Sequence, residues 1–231
     1  MPEMPAIPTL GRFMLALLSF ALVVPLGCSQ DESPTEKSLT RRPLVTEVDG
    51  KWIGNAIGYS PYREGQRPGG TLPTQAQVIE DLKILAPRWQ MIRTYGSTEA
   101  RLTLEAIKKA KLGIRVMIGA WLDGEVEKQE DGSLTPRAAG IAANEREIDA
   151  IIALANAYPK TVAAVSVGNE TQVFWTGQPV PGPALIAHVK KVRQATKVPV
   201  TVADDFNFRT KPESQAVAAE LDFIVTHIHP H

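Results

Sequence analysis

What this chain has little of narrows the field first. It holds a single cysteine in 231 residues, Cys28, so no disulfide can close within it. Neither sign of charge is in excess. Lys and Arg number 25, Asp and Glu also 25, and no basic block stands out, so the electrostatic footprint of a nucleic-acid binder is missing. "GYSPYREGQRPGG" (58–70) carries glycines but not the G-x-G-x-x-G spacing of a dinucleotide-binding turn, and no helix opens behind it. There is no residue-level repeat, and no motif calls for a cofactor. No apolar run reaches the roughly 20 residues that a membrane-spanning helix needs.

The longest apolar run, "FMLALLSFALVVPLG" (13–27), follows Arg12 and has the length of an export-signal core. It ends at Gly27-Cys28. "PLGC" resembles a bacterial lipobox, with small Gly27 before the cysteine to be lipidated, although Leu26 and Pro25 depart from the usual pattern. The plain alternative is an ordinary cleaved signal with a chance cysteine. The polar stretch after it, "SQDESPTEKSLTRRP" (29–43), reads as a tether and favours lipidation at Cys28. The expected organisation is a signal over 1–28, a polar linker over 29–50 and one α/β domain over 51–231. The expected address is the bacterial cell envelope, lipid-anchored, at the outer membrane if the cell is Gram-negative, since Ser29 rather than Asp comes after the cysteine.

What is present beyond Trp52 is alternation. Apolar, β-rich runs at 53–59, 90–95, 114–121, 161–169, 199–205 and 222–229 predict strands. Helical patterns between them cover 74–87, 97–113, 143–158, 182–196 and 212–220, with Thr74 and Ser97 as expected caps and Pro183 suited to a first turn. Strands apolar on both faces, separated by helices, imply a parallel sheet covered on both sides. An open doubly wound sheet and a (β/α)8 barrel both fit this pattern. Polar and aromatic residues gather at the strands' carboxyl ends: Tyr59, Arg93 with Tyr95, Trp121 with Asp123, Asn169 with Glu170, Asp204 with Asp205, and His227 with His229. The long loops 60–73, 122–142 and 171–181 fall on that same side. A (β/α)8 barrel builds its active site there, so the barrel is the expected fold, with about six strands present.

"AAVSVGNETQ" (163–172) poses the chemical question. An apolar strand delivers Asn169 and Glu170 with no turn between, where desolvation penalises a charged carboxylate. A salt-bridged strand end would be inert. A general acid would need such a setting to stay protonated.

"GYSPYREGQRPGG", "IRTYGS", "SVGNE" and "HIHPH", in this order, resemble the bacterial family 17 glycoside hydrolases, the β-1,3-glucanase family, from about Ile53 onward. The resemblance implies a (β/α)8 barrel acting on β-1,3-glucan as a retaining glycosidase, or as a transglycosylase that remodels such glucans. It implies that Glu170 is the acid/base, that Asn169 meets the sugar 2-hydroxyl, and that Tyr59, Arg93 and Tyr95 line the cleft. His227 and His229 are expected to line it too. With His231 they alternate along one strand face and could in principle hold zinc, but alternate positions diverge from one point, and no metal is expected. Trp121 could stack on a glucose ring or pack in the barrel, and Trp175, in a polar loop, is the better stacking candidate. Asp204 and Asp205 could orient the cleft or cap the next segment.

One part of the family pattern is not found. A retaining glycosidase needs a second carboxylate about 5 Å from the first. The resemblance implies a Glu after a seventh strand, and no "GE-T-G-W" type segment occurs. The 231-residue chain alone is therefore expected to be inactive, and a lipid-anchored, non-catalytic glucan-binding remnant stands as the alternative.

Overall fold

The apolar runs become strands that pair side by side in chain order. In the computed structural model, which describes residues 40–229, the strands are β1 (Ala56–Gly58), β2 (Met91–Arg93), β3 (Arg115–Ala120), β4 (Val162–Asn169), β5 (Val200–Asp205) and β6 (Val225–His227). The helices between them are α1 (Gln75–Leu85), α2 (Ser97–Ala110), α3 (Ala138–Ala157), α4 (Gly182–Ala195), α5 (Phe206–Arg209) and α6 (Glu213–Ala219). Every neighbouring pair is parallel, and the spatial order is the chain order, β1 to β6. A doubly wound sheet reverses its order at a switch point, and this one does not.

The sheet also curls. Laid flat, β2 and β6 would stand four strand spacings, about 19 Å, apart. Yet Arg93 at the end of β2 reaches His227 at the end of β6 at 3.0 Å. The result is the incomplete (β/α)8 barrel expected from the alternation.

Two apolar clusters arise from strand periodicity. Residues on the outer face of the curl, among them Ile92, Val116, Ile118, Val165 and Val202, are buried against Leu82, Leu104, Ile148, Leu185 and Val189 of the helices. On the concave side, one pleat below Arg93, Met91 joins Met117, Ala163 and Ala164, with Ile53 and Leu44 of the preceding segment packed in.

Several local expectations are corrected. Thr74 does cap α1, in a reciprocal box with Gln77. Ser97 does not cap α2. Gly96 holds that place, its N–H satisfied by Glu99, and Ser97 turns its hydroxyl to Glu147 instead. The loop 122–142 contains an antiparallel hairpin, Val126–Lys128 with Leu134–Pro136, and α3 starts at Ala138, five residues before the expected start. The end of the polar stretch is tied down. Arg42 bonds Asp222 and the Thr196 carbonyl, and a short hairpin, Glu47–Val48 with Lys51–Trp52, leads into β1. Cys28, the 1–28 signal, the first part of the tether and His231 lie outside the described residues. Among the described residues no helix is long and apolar enough to cross a membrane.

Candidate active site

The end of β4 is built to present a side chain. Ser166 pairs with Thr201 but Asn169 with Ala203, so β4 advances three residues while β5 advances two. That extra residue is a β-bulge, which bends the strand and re-aims the residues beyond it. Gly168 takes φ +82° within it, and Glu170 takes φ +53° just past its end. For a residue with a Cβ the left-handed region costs on the order of 1–2 kcal/mol, and such strain persists only where the surroundings over-determine it. Here the Glu170 N–H donates to the Ala203 carbonyl at 2.9 Å, fixing the turn to β5.

Four strand-end side chains then connect across the mouth of the curl. Arg93 Nη2 donates to Asn169 Oδ1 at 2.7 Å, and Arg93 Nη1 lies 3.0 Å from His227 Nε2. His227 Nδ1 lies 2.7 Å from Glu170 Oε1. A guanidinium only donates, so His227 Nε2 must accept, and its proton sits on Nδ1, pointing at Glu170. The chain of bonds therefore runs Arg93 to His227 to Glu170, with Arg93 also holding Asn169. The Arg93 guanidinium also stacks 4.8 Å from the Tyr95 ring centre. Burial pulls Arg93 below the usual guanidinium range, and Tyr95 and Glu170 oppose that pull. Gly58 makes room for the arrangement, since a Cβ there would stand 2.7 Å from the Tyr95 hydroxyl.

Glu170, His227 and His229 offer ligand atoms that lie within 4.8 Å of one another, so the two histidines converge more than alternation suggested. The tautomer argues against a metal there. His227 turns a proton, not a lone pair, toward the carboxylate, and a fixed cation sits on its other nitrogen. His229 is mostly exposed and 3.9 Å from Glu170.

A cleft of about 670 Å³ opens beside this network. Its walls include Asn169, Tyr95, Trp121, Tyr62, Glu99 and Glu147. The structure brings Arg93, Tyr95, Asn169, Glu170 and His227 together, with Trp121 on the cleft wall. It does not bring Tyr59 there. That ring is buried, and its hydroxyl donates to Asp81 of α1 at 3.0 Å. Burial, reinforced by Asp81, drives the Tyr59 hydroxyl far above the ordinary phenol range. Three residues on, Tyr62 takes the wall position. Its hydroxyl is pushed up to about 12 by burial and by the nearby Glu99 carboxyl, although it sits outside hydrogen-bond geometry. Trp175 is not on this wall and makes an edge-to-face pair with the exposed Phe174, at 4.7 Å.

Glu99, Glu147 and Tyr62 were not read from the sequence as site residues. Glu147 accepts from the Ser97 N–H, the Ser97 hydroxyl and the Trp121 N–H, so one carboxylate from α3 fixes both the β2 loop and the tryptophan. A glutamate in mid-helix carries no sequence signal for that role.

The other carboxylates at this end hold the frame. Asp123 accepts from the Gly124 N–H and pairs with Arg137. Asp205 caps α5 through Asn207. Asp204 accepts the Gln172 and Asp205 N–H groups, and burial raises its carboxyl to about 6. Glu99, accepting the Tyr95 and Gly96 N–H groups, is also raised by burial. Glu170 differs from them all. Its carboxylate is held by His227 of the network, and its side chain is 30% exposed.

A parallel barrel with an acid-bearing fourth strand, an adjacent amide and a sugar-sized cleft beside them defines a glycoside hydrolase class of domain. The chain belongs to the BtgE/BtgC glycoside hydrolase domain family, whose model matches residues 56–231. Among solved structures it is similar to an endo-laminarinase from Formosa Hel1_33_131, with a TM-score of 0.64 and 24% identity over 75% of this chain and 49% of that one. It is also similar to the Rhizomucor miehei β-1,3-glucanosyltransferase, as an active-site mutant with laminaritriose, with a TM-score of 0.54 and 23% identity over 75% and 56%. The same fungal enzyme, described as glycoside hydrolase family 17, also matches, with a TM-score of 0.53. At these identities the likeness shows the fold, and the chain spans about half the length of these structures. No curated protein matches it.

Proposed function

We propose that this domain carries the acid/base side of a retaining glycosidase that cleaves β-1,3-glucan, with Glu170 as the proton donor. The observation that carries the reading is the end of β4, a bulge and a left-handed turn that deliver one partly open carboxylate into a network of cleft side chains. Two similar structures are a laminarinase and a β-1,3-glucanosyltransferase, which points the substrate class to laminarin-type glucan.

Glu170 gives its proton to the leaving glycosidic oxygen. The carboxylate then takes a proton from the incoming nucleophile. His227 Nδ1–H holds Oε1, so the transferable proton belongs on Oε2. Asn169, oriented by Arg93, leaves its amide N–H₂ free for a sugar hydroxyl. Water as acceptor gives hydrolysis, and a sugar hydroxyl gives transglycosylation at the same carboxyl. The covalent step needs a second carboxylate across the ring, and Asp123, Asp204, Asp205, Glu99 and Glu147 are engaged elsewhere. In this reading it comes from barrel outside the described residues.

The test is turnover of unactivated laminarin by a chain carrying the whole barrel. Glu170→Gln should lower it by roughly 10²–10⁴, and unchanged turnover would remove Glu170 from the acid role. Analysis of the products separates hydrolysis from transfer. In the same reading Cys28 is the lipid anchor to the cell envelope. A fatty-acid analogue should label the wild type and spare Cys28→Ala, and equal labelling of both would refute the anchor.

A further inference from the structure

Asp204 is the most deeply buried carboxylate at the cleft end, with no side-chain surface in contact with solvent, and the reaction as described does not use it. We infer that Asp204 is a positioning residue, whose carboxylate holds the turn that carries Glu170 through one oxygen and is itself fixed to β5 through the other. This rests on the reading of Glu170 as the acid/base.

β5 grips that turn at two successive places. The Ala203 carbonyl takes the Glu170 N–H at 2.9 Å, and Asp204 Oδ2 takes the Gln172 N–H at 3.1 Å. Asp204 Oδ1 takes the Asp205 N–H at 2.9 Å, which fixes the carboxylate's own orientation. Between the two anchored amides lies the left-handed Glu170. A non-glycine residue relaxes out of that conformation unless both flanks are held. The Gln172 N–H lies past the end of β4, and Asp204 satisfies it.

The surroundings show that this carboxylate is not there to stabilise. Its cationic neighbour is Arg209 of α5, but that guanidinium bonds the Val202 and Val225 carbonyls, and its Nε and Nη1 are buried without partners. Glu170, on the β4 turn, is a like charge, and β6 sets uncharged Thr226 beside Asp204. Burial accordingly lifts the carboxyl to about 6, which is a cost to the fold at neutral pH. Asparagine would avoid that charge. It has one acceptor oxygen, though, and would set its N–H₂ against one of the two backbone donors. Only a carboxylate serves both amides at once.

Amide exchange and NMR on the 231-residue chain test this without substrate. In Asp204→Asn the Gln172 N–H should lose at least tenfold of its exchange protection, while Ile118 and Val165 in the strands keep theirs. In the wild type the Gln172 amide shift should titrate near pH 6. That titration should vanish in Asp204→Asn and persist in Asp205→Asn, which alters only the α5 cap. Thermal stability at pH 7.5 should not fall in Asp204→Asn. In a whole-barrel chain, kcat on laminari-oligosaccharides should drop about tenfold with KM little changed. Retained Gln172 protection in Asp204→Asn overturns the inference, as does a uniform loss of protection with a lower Tm, which would make Asp204 an ordinary structural residue. The amide readouts decide the matter even if Glu170→Gln removes Glu170 from the acid role.

Discussion

Two carboxylates, each near an arginine, stand at opposite ends of the same barrel. At the amino-terminal end of the strands, the Asp222 side chain is fully buried. It accepts from the Arg42 N–H, Arg42 Nε, Arg193 Nη2 and the Val200 N–H, at 2.7, 3.2, 2.9 and 2.8 Å. At the carboxyl end, Glu170 is 30% exposed and, among the described residues, hydrogen-bonded at Oε1 by His227 only. Its arginine acts at one remove. Saturating every lone pair makes a clasp, and here it closes Thr40–Arg42 onto the barrel. Leaving one oxygen unsatisfied at a partly exposed strand end makes a reagent. Barrels divide labour between their ends in this way, with stability below and chemistry above.

The largest expected effects come from deleting either group, and they should fall on different observables. Glu170→Gln should lower glucan turnover by roughly 10²–10⁴ while leaving the unfolding midpoint nearly unchanged, since a half-open carboxylate on a strained turn contributes little to the fold. Asp222→Ala should do the reverse. It strands Arg193, whose side chain is 3% exposed, as a buried charge without its carboxylate. Breaking such a pair costs on the order of 3–5 kcal/mol, read by urea denaturation. If Asp222→Ala spared stability, or Glu170→Gln lowered it by a similar amount, the division between the two ends would not hold.

How much of this was legible in the sequence differs between the ends for a physical reason. Cleft residues sit at strand ends, and strands announce themselves as apolar runs, so Arg93, Asn169, Glu170 and His227 could be found together before any coordinates. Parity at those ends could not be read so well. Tyr59 belongs to the same strand end as Gly58, but Gly58 faces the Tyr95 hydroxyl while Tyr59 faces α1. The Asp222 clasp joins residues 180 apart, half of it through backbone N–H groups, which leave no mark on composition or spacing. The hairpin within 122–142 had a local signal, Asp131-Gly132, with Gly132 at φ +84°. The early start of α3 had none. Gly140 reads as a helix-weakening residue, yet a Cβ there would collide with the Gly124 carbonyl, so close contact between loop and helix requires it.

Asp204 is the third term of the comparison, buried like Asp222 but at the end that carries Glu170. It accepts two N–H groups, where Asp222 is also neutralised by two arginines. Its folded-state carboxyl is raised to about 6 from a usual value near 3.8. The native state therefore holds a proton that the unfolded chain releases earlier. This group's contribution is accordingly most favourable below about pH 4 and is lost as pH rises through about 6. The full shift corresponds to at most about 3 kcal/mol. Unfolding free energies of wild type and Asp204→Asn, measured in urea from pH 4 to 7.5, should diverge in that window, with the wild type losing ground as pH rises. Parallel curves would mean that folding does not raise the Asp204 carboxyl above its unfolded value.

The smallest effect tests the link between the two arginine-linked groups at the cleft. His227 touches Glu170 and is itself held by Arg93, so it sets the direction of the carboxyl and takes no part in the proton's transfer. Removing one hydrogen bond to a carboxylate is worth about 1.5–3 kcal/mol, and a half-exposed site sits at the lower end, roughly a tenfold fall in kcat. His227→Ala should show that fall with KM little changed. His227→Asn keeps a short side chain with both a donor and an acceptor, the pair that the bonds to Glu170 and Arg93 require, and should recover part of the loss. Neither variant should move the unfolding midpoint as far as Asp222→Ala does, because Arg93 keeps its bond to Asn169. A loss as large as that of Glu170→Gln, with no rescue by asparagine, would make His227 a proton carrier in its own right. The carboxyl end would then hold a two-group acid in which the imidazole does chemistry, and the contrast with the saturated clasp below would rest on the pair and not on Glu170 alone.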